Sequence, residues 1–339
     1  MGRVGGEPSI AGVRRGITHG AGTPLLGGNH VKILVTGGAG FIGSHLVEHL
    51  VAADHAVTAL DDLSTGSAGN LPVGVVLERV DLRDGDAVRR AVAAAAPEVV
   101  FHEAGQSDVR VSTREPERDA AINVIGGIHL LEACVAAKVR KVVYASTGGA
   151  VYGDPERVPV TEDAPVRPIS QYGISKHTVE HYLFLYRHLY GLDYTVLRYP
   201  NVYGPRQSPR GEAGVVSIFA RAALRNAPVQ IFGDGRQTRD YVYVTDIVAA
   251  NAAVLGDCGG GDTFNVGTGV GVSVLEIRDG LARALGREVA SQHQPPRPGE
   301  VLHIALDGRR FVAATGWAPK VGLDEGIRRT VEYVRRYEL

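Results

Sequence analysis

From Val31 onward, short apolar runs alternate with stretches whose apolar positions recur every three or four residues. Residues 32–36 (Lys-Ile-Leu-Val-Thr) form the first run, too short for a helix and rich in β-branched side chains, and they predict a strand. A glycine-rich turn follows. Residues 41–53 then place Ile42, Leu46, Val47 and Leu50 on one helical face. The alternation continues with strands predicted at 56–60, 75–80, 99–102, 141–146 and 194–198, and helices at 86–95, 119–138 and 171–190. Strands alternating with helices make βαβ units, so residues 31–200 are expected to form an α/β domain on a doubly wound parallel sheet.

Beyond about Pro200 the regularity loosens. Helices remain readable at 215–226, 274–285 and 324–337, separated by longer loops that carry Arg, Gly and Pro. Residues 201–339 are expected to form mainly a smaller C-terminal substrate-binding lobe, with some segments returning to the first domain. Residues 1–30 are glycine-rich and show neither period, which reads as a flexible N-terminal extension.

Composition narrows the partners. With 36 basic and 37 acidic residues the formal net charge is -1, so no global field draws the chain to nucleic acid or an anionic membrane. A phosphate-bearing ligand must then be held by local groups. No apolar run approaches the ~20 residues that span a bilayer, and residues 1–30 lack the apolar stretch of a secretory signal. Cys134 and Cys258 lie far apart, and neither they nor the histidines show metal spacing. The expectation is a cytoplasmic protein with no metal, nucleic-acid or membrane partner.

Residues 36–43 read Thr-Gly-Gly-Ala-Gly-Phe-Ile-Gly, and they lie between the first strand and the first helix. The spacing of Gly37, Gly40 and Gly43 allows a tight turn and a close approach of backbone to a pyrophosphate. The N–H groups of Phe41, Ile42 and Gly43 then face the anion at a helix N-terminus. Asp61 ends the second strand, 18 residues past Gly43. A carboxylate there accepts from the adenosine ribose and repels a 2′-phosphate, which favours NAD over NADP. Asp61 and Asp62 would also suit capping of the next turn; the strand–turn–helix context favours the cofactor and a Rossmann-type domain. Asp81 and Leu82, after the third strand, fall where the adenine edge would lie.

Tyr172 and Lys176 stand four residues apart on one face of a predicted helix. A tyrosine of pKa about 10 is a poor base at neutral pH unless a neighbouring cation stabilises its phenolate, and Lys176 is such a cation. A surface pair of this kind also arises by chance; the strand ending in Ser146-Thr147-Gly148-Gly149 just upstream weighs against that.

Taken together, residues 36–43, Asn123, residues 146–153 and the Tyr172/Lys176 pair resemble the extended short-chain dehydrogenase/reductases. Residues 199–206 (Tyr-Pro-Asn-Val-Tyr-Gly-Pro-Arg) and 239–244 (Arg-Asp-Tyr-Val-Tyr-Val) are similar to the family's nucleotide-sugar branch, nearest to its UDP-glucose 4-epimerases. The likeness runs from Val31 to the C-terminus. It implies Tyr172 as acid/base on the sugar 4-hydroxyl and Lys176 on the nicotinamide ribose. It also implies cofactor contacts from Asn123, Ser146 and Tyr199. The family's usual Ser or Thr falls on Gly148 here, so either Thr147, the favoured choice, reaches the sugar oxygen or a water or backbone group substitutes. For the nucleotide sugar the resemblance implies Arg239 and Arg297 on the diphosphate, Asn201 as a further donor and Glu300 on the ribose. Val216, Gln230 and Phe232 would frame the uracil. A solvated surface charge is the alternative for each arginine.

Gln106, Ser107 and Asp108 follow the fourth strand and are placed to meet sugar hydroxyls, whereas His102 lacks partner ligands and reads as structural. Dehydratases of the family resemble Thr-Asp-Glu where this chain has Gly148-Gly149-Ala150, and decarboxylases carry Glu at the position of Ala150. The implied reaction is therefore C4 epimerisation through a 4-keto sugar, with UDP-glucose/UDP-galactose as substrate. Ile304 stands where narrow glucose/galactose enzymes have Tyr, which keeps UDP-glucuronate and UDP-N-acetylhexosamines open. A silent NAD-sensing scaffold is the reading from another class. Helices 119–138 and 171–190 carry apolar residues beyond one face, and in this family such helices pair into a homodimer.

Overall fold

The computed structural model describes residues 30–208, 214–296 and 301–338. Its first half is a run of βαβ units: β1 (Lys32–Thr36), α1 (Phe41–Ala52), β2 (Ala56–Asp61), β3 (Val76–Arg79), α2 (Gly85–Ala95) and β4 (Val99–His102). Two short helices, α3 (Val109–Arg114) and α4 (Pro116–Ala120), lead through a π-turn at Ala121–Ile125 into α5 (Gly126–Ala136). Then come β5 (Lys141–Thr147), a single turn α6 (Gly148–Val151), the long α7 (Gln171–Tyr190) and β6 (Asp193–Tyr199).

The second half contains β7 (Asn201–Tyr203), α8 (Val215–Leu224), β8 (Val229–Phe232), β9 (Thr238–Arg239), β10 (Tyr241–Tyr243), α9 (Val244–Ala253) and β11 (Asp262–Asn265). It closes with β12 (Val272–Ser273), α10 (Val274–Leu285), β13 (Ser291–Gln294), α11 (Arg309–Thr315) and α12 (Leu323–Tyr337).

Seven strands make one parallel sheet in the order β11-β6-β5-β4-β1-β2-β3. Chain order reverses between β1 and β4, and a crevice opens at the carboxyl ends of strands on either side of such a switch. The strands are apolar on both faces because helices cover both. Ile33, Val35, Phe101, Val143 and Leu197 pack with Leu46, Leu50, Ile247, Phe311 and Trp317. The intervening Leu34, Val100, Val142 and Val196 pack on the other side with Val92, Leu131, Val179 and Leu183. A separate core in the C-terminal lobe joins Phe219, Val229, Tyr241, Ile277 and Val331. As β11, α9 and α11 sit against the main sheet, segments beyond residue 200 do return to it.

Two expectations change. The predicted helix at 119–138 is a longer helical stretch, Pro116–Ala136, interrupted by the π-turn. That stretch is also long and apolar enough to cross a membrane by length and composition, contrary to the reading of the bare sequence; here Leu130, Leu131 and Cys134 are packed into the sheet's core. Residues 1–29, and so nearly all of the expected N-terminal extension, lie outside the described residues.

Lys141, the first residue of β5, is fully buried. Its Nζ donates to the carbonyls of Val254, Gly256 and Cys258 at 2.8, 2.8 and 2.7 Å, beyond the C-terminal end of α9. A cation is favoured at a helix C-terminus, and here it satisfies three carbonyls at once. Lys141→Met, which fills the same space without donors, is expected to lower unfolding free energy by about 2–4 kcal/mol. Urea melts test this, and an unchanged midpoint would mean that these carbonyls find other donors.

Candidate active site

Gly37 has φ +66°, and a Cβ there would lie 2.7 Å from the amide nitrogen of Ala104 in the loop after β4. At Gly43 a Cβ would stand 2.1 Å from the Gly37 carbonyl oxygen, so only glycine lets α1 start this close to β1. Gly40 caps α1 with no side chain to meet the first-turn N–H groups of Phe41, Ile42 and Gly43. Those donors suit a phosphate. Asp61 closes the turn: its Oδ2 accepts from Ala39 N at 3.0 Å and its Oδ1 from Leu63 N at 2.8 Å. Burial raises the Asp61 carboxyl, and the Leu63 and Ala39 N–H groups oppose that. A side-chain-free cradle beside an acceptor at the end of β2 fits a dinucleotide.

Tyr172 and Lys176 lie in the first two turns of α7, which Ser170 caps by accepting from Gly173 N at 3.1 Å. Tyr172 is half-buried and Lys176 is 5% exposed. The Lys176 ammonium stands 4.5 Å from the centre of the Tyr144 ring. Burial pulls it down to about 8, against the pull of Glu103, Asp119 and Glu180. A lysine so placed is still mostly charged at neutral pH. Its backbone position is set by Glu180, one helical turn on. Glu180 takes hydrogen bonds from Arg198 (2.6 and 3.0 Å) and Ser146 Oγ (2.6 Å), and pairs with His177 Nδ1 at 2.9 Å. These partners outweigh burial and hold its carboxyl well below the usual range.

The loop after β4 joins the two halves of the site. A Cβ on Gly105 would lie 2.9 Å from Asn123 Oδ1 and 3.7 Å from Lys176 Nζ. Asn123 accepts from Gln106 N and donates to Gln106 O and Asp119 Oδ1 (2.9, 2.9 and 3.0 Å). Asp119 in turn accepts from Ser175 Oγ at 2.6 Å, next to Lys176. Thr147 and Asn201 frame one opening: a Cβ on Gly149 would be 3.9 Å from Thr147 Oγ1 and 3.8 Å from Asn201 Oδ1. Gly148 is glycine for a different reason, as a Cβ there would meet Leu306 Cδ1 at 2.2 Å. Leu306 therefore fills the space of the hydroxyl-bearing side chain that the family resemblance led one to expect.

Several residues expected at the ligands are bound into the frame of the site. Ser146 is buried with its hydroxyl on Glu180, and Asn123 has both ends of its amide on the loop, so each side chain shapes the site rather than facing it. Tyr199 donates to Glu103 Oε1 at 2.9 Å and accepts from Asn251 Nδ2 at 2.7 Å. Gln106 donates to Asp108 O and Asp119 Oδ1, and Asp108 caps α3, which leaves Ser107 exposed between them. Val216 is fully enclosed in the lobe's core and cannot frame a base. Ile304 is enclosed with Val151, Tyr152, Val160 and Leu306, so it gives no ground for a wider sugar pocket.

Leu82 is core, its carbonyl hydrogen-bonded to His129, and Asp81 pairs with Arg83. Gln230 is exposed and pairs with Gln292 and Gln294 across the β8–β13 ribbon, while Phe232 is half-buried at the end of β8. Arg239 is half-buried on β9, with Nη1 donating to Thr238 O at 2.9 Å. Arg297 and Glu300 lie outside the described residues. His102 is structural, as expected: it bonds Thr36 Oγ1 at 2.8 Å, and burial followed by the Lys176 charge pushes it down to about 3.

The residues that sequence reasoning missed are buried charges. Arg198 could have been found as the lone charge inside an apolar strand, and Glu180 by its i+4 spacing from Lys176. Asp240 is a third: it accepts from Thr268 Oγ1 (2.6 Å), Gly269 N and Leu306 N (both 3.1 Å), which ties the junction of β9 and β10 to the segment carrying Leu306.

A seven-stranded doubly wound sheet with a glycine cradle at its switch point and a Tyr/Lys pair on the adjoining helix defines a dinucleotide-dependent α/β enzyme of the extended short-chain dehydrogenase/reductase type. Residues 33–267 match the NAD dependent epimerase/dehydratase family, and the chain belongs to that family, with NAD as its cofactor. The UDP-glucose 4-epimerase of Mycolicibacterium smegmatis is 47% identical over 309 residues, covering 90% of this chain and 99% of that one. The UDP-glucose 4-epimerase of Thermotoga maritima, solved with UDP-glucose, has TM-score 0.88 and 45% identity, over 91% of this chain and 99% of that one. The Thermus thermophilus UDP-glucose 4-epimerase, solved with NAD, has TM-score 0.86 and 48% identity, over 90% of this chain and 99% of that one.

The contact between Gly148 and Leu306 yields a prediction. Gly148→Ser forces Leu306 aside and is expected to cost about 1–3 kcal/mol of stability by overpacking. In a Leu306→Ala background, where the space is free, the same change should cost less than half as much. A double-mutant cycle by chemical denaturation measures the coupling; strictly additive costs would mean the two side chains do not compete.

Proposed function

We propose that this chain catalyses NAD-dependent C4 epimerisation of a UDP-sugar, with UDP-glucose/UDP-galactose as the substrate pair. What supports this reading most is the family match over residues 33–267, together with Tyr172 and the buried Lys176 one turn apart on α7, Thr147 at the carboxyl end of β5, the first turn of α7 packed on Ala150, and no acidic side chain at 148–150. Tyr172, its phenolate favoured by Lys176, takes the proton from the sugar 4-hydroxyl and later returns it. Thr147 steadies the same oxygen. When bound, NAD supplies the hydride acceptor and donor for C4. The cradle and Asp61 hold the dinucleotide, and Arg239, with Arg297 and Glu300, would hold the UDP. Without an acid/base pair at 148–150, nothing there eliminates water from the sugar or assists loss of a carboxyl group.

The outer face of α7 exposes Ile174, Phe184, Leu185 and Leu189, and Ile125 is exposed on the neighbouring helical stretch. Apolar side chains in that number on one helix support a homodimer formed through these helices. Two cysteines without disulfides, Cys134 and Cys258, accord with a cytoplasmic location.

Purified protein incubated with a panel of UDP-sugars and no reductant is expected to convert UDP-glucose to UDP-galactose in an NMR time course. Conversion only of UDP-glucuronate or a UDP-N-acetylhexosamine would move the substrate assignment, and accumulation of a 4-keto or decarboxylated product would overturn epimerisation. Tyr172→Phe should lose about 10²–10⁴-fold in turnover while retaining NAD, read from the cofactor released on denaturation; a silent NAD-binding scaffold would be indifferent to it. Light scattering is expected to give twice the chain mass, and a monomer at micromolar concentration would remove the dimer.

A further inference from the structure

His177 and His181 stand one helical turn apart on α7, in the row that also exposes Ile174 and Leu185. Their Nε2 atoms are 3.1 Å apart, with ring centres at 4.5 Å and ring planes inclined at 65°. His177 is partly sunk, its side chain 25% exposed, whereas His181 is exposed. The other ring nitrogen of His177, Nδ1, meets Glu180 Oε2 at 2.9 Å. Glu180 is a carboxylate bound by Arg198 and Ser146, so it can only accept, and His177 Nδ1 must be the donor. In the neutral ring this leaves His177 Nε2 with a bare lone pair, which takes the N–H of His181 Nε2.

Two imidazoles at this spacing on one helix face can share a metal ion. A histidine ligand gives its other N–H to a carboxylate, which fixes the tautomer, aims the ring and makes the bare nitrogen more basic. Glu180 does this for His177, and Glu180 is itself held by Arg198. Metal–imidazole bonds are about 2.0–2.1 Å long, so two nitrogens on neighbouring positions of one cation stand about 2.9–3.4 Å apart. The 3.1 Å between the Nε2 atoms lies in that window. A cation then needs no movement of the helix, only a tilt of the exposed His181 ring, whose proton moves to Nδ1. Other imidazoles are engaged differently: His102 with Thr36 Oγ1, His129 with Leu82 O and His293 with Gly233 O. Among the described residues no group of three or more His, Cys, Asp or Glu side chains is placed to hold a metal ion. The pair therefore supplies two ligands and water the rest.

We propose that His177 Nε2 and His181 Nε2 chelate a divalent transition-metal cation, one per chain. Imidazole nitrogen suits Zn²⁺, Ni²⁺ and Cu²⁺ and offers nothing to Mg²⁺ or Ca²⁺, which take oxygen ligands. The two nitrogens come together only while residues 177–181 are helical. The cation thus binds the folded chain in preference to the unfolded one, and clips α7 beside its Glu180 anchor. The site uses neither Tyr172 nor Lys176, and it stands whether or not the chain is an epimerase. Because the pair shares its row with apolar side chains assigned above to the homodimer, binding is to be measured on the protein in its own state of assembly.

Isothermal titration of metal-free protein, without a histidine tag, with ZnCl₂ at neutral pH is expected to show one site per chain, and MgCl₂ none. His181→Gln and His177→Gln should each weaken zinc binding by about 10–100-fold or more, since losing a ligand costs at least what losing its outer partner does. His188→Gln alters another exposed histidine of α7, outside the pair, and should leave the binding unchanged.

Thermal melts give a second readout. Zn²⁺ should raise the melting temperature of the wild type and of His188→Gln, and leave that of His181→Gln where it was. Zinc binding that survives both changes to the pair places the cation elsewhere and overturns the proposal. So does a wild type that takes up no Zn²⁺, or a loss in His188→Gln as large as in His181→Gln.

Discussion

Arg198 and Glu180 meet at 2.6 Å in the interior, their side chains 6% and 7% exposed. Taking both charges out of water costs several kcal/mol each, and their attraction offsets this only when the remaining donors and acceptors are met. Here they are. Glu180 also takes the Ser146 hydroxyl and the His177 ring, and Arg198 donates to Tyr152 Oη at 2.8 Å, whose hydroxyl in turn donates a hydrogen bond to Asn265 Oδ1 at 2.8 Å. The network joins β5, α7, β6 and β11 at the edge where the chemistry lies. Its value is register more than net stability. With Glu180 fixed against two strands, Lys176 stands one turn earlier and Tyr172 two turns earlier, and neither can slide or roll along the sheet. Removing one partner of such a pair costs about 3–5 kcal/mol because it strands the other, and α7 would lose its anchor with it.

The opposite wall is built by contact distance. Gly37 allows Ala104 within reach of the turn, and Thr36 Oγ1 accepts from Ala104 N at 3.2 Å while bonding His102. The loop after β4 is thereby fixed to the cradle at one end and, through Gln106, Asn123 and Asp119, to α7 at the other. A shift of the glycine turn is transmitted to Lys176 through backbone and fully engaged amides, not through mobile side chains.

What the sequence made legible follows from range. The glycine turn, the strand periodicity and the Tyr/Lys spacing are encoded within eight residues or fewer, so each could be read from one window and then confirmed by its neighbours. The buried charges were not, because what makes Arg198 tolerable is Glu180, 18 positions away, and what holds Ser175 is Asp119, 56 away. The π-turn at Ala121–Ile125 also has no local signature, since it places Asn123 against Gln106 through tertiary contact. Apolar candidates fared worst. Nothing in the identity of Val216 or Ile304 says whether a side chain faces a ligand or a core, and both face cores. For polar side chains the sequence did not show the partners: the hydrogen bonds of Ser146, Asn123 and Tyr199 run to Glu180, Gln106 and Glu103.

The same division explains how a sugar could be presented by both faces in turn. A hexose held by many directional bonds could not rotate between hydride transfers, whereas the phosphates of its carrier must be held firmly or the intermediate escapes. Among the described residues, a Cβ on Gly149 would have only two neighbours within 4 Å, Thr147 Oγ1 and Asn201 Oδ1. Leu306 closes the space beside Gly148, so a hydroxyl there is excluded by packing and not merely absent. A rigid charge network under the Tyr/Lys pair, with open space at Gly149 beside Thr147, suits proton transfer at a fixed point to a turning substrate. In the proposed reaction the precision resides in α7 and the cradle, and the freedom resides in the opening at Gly149.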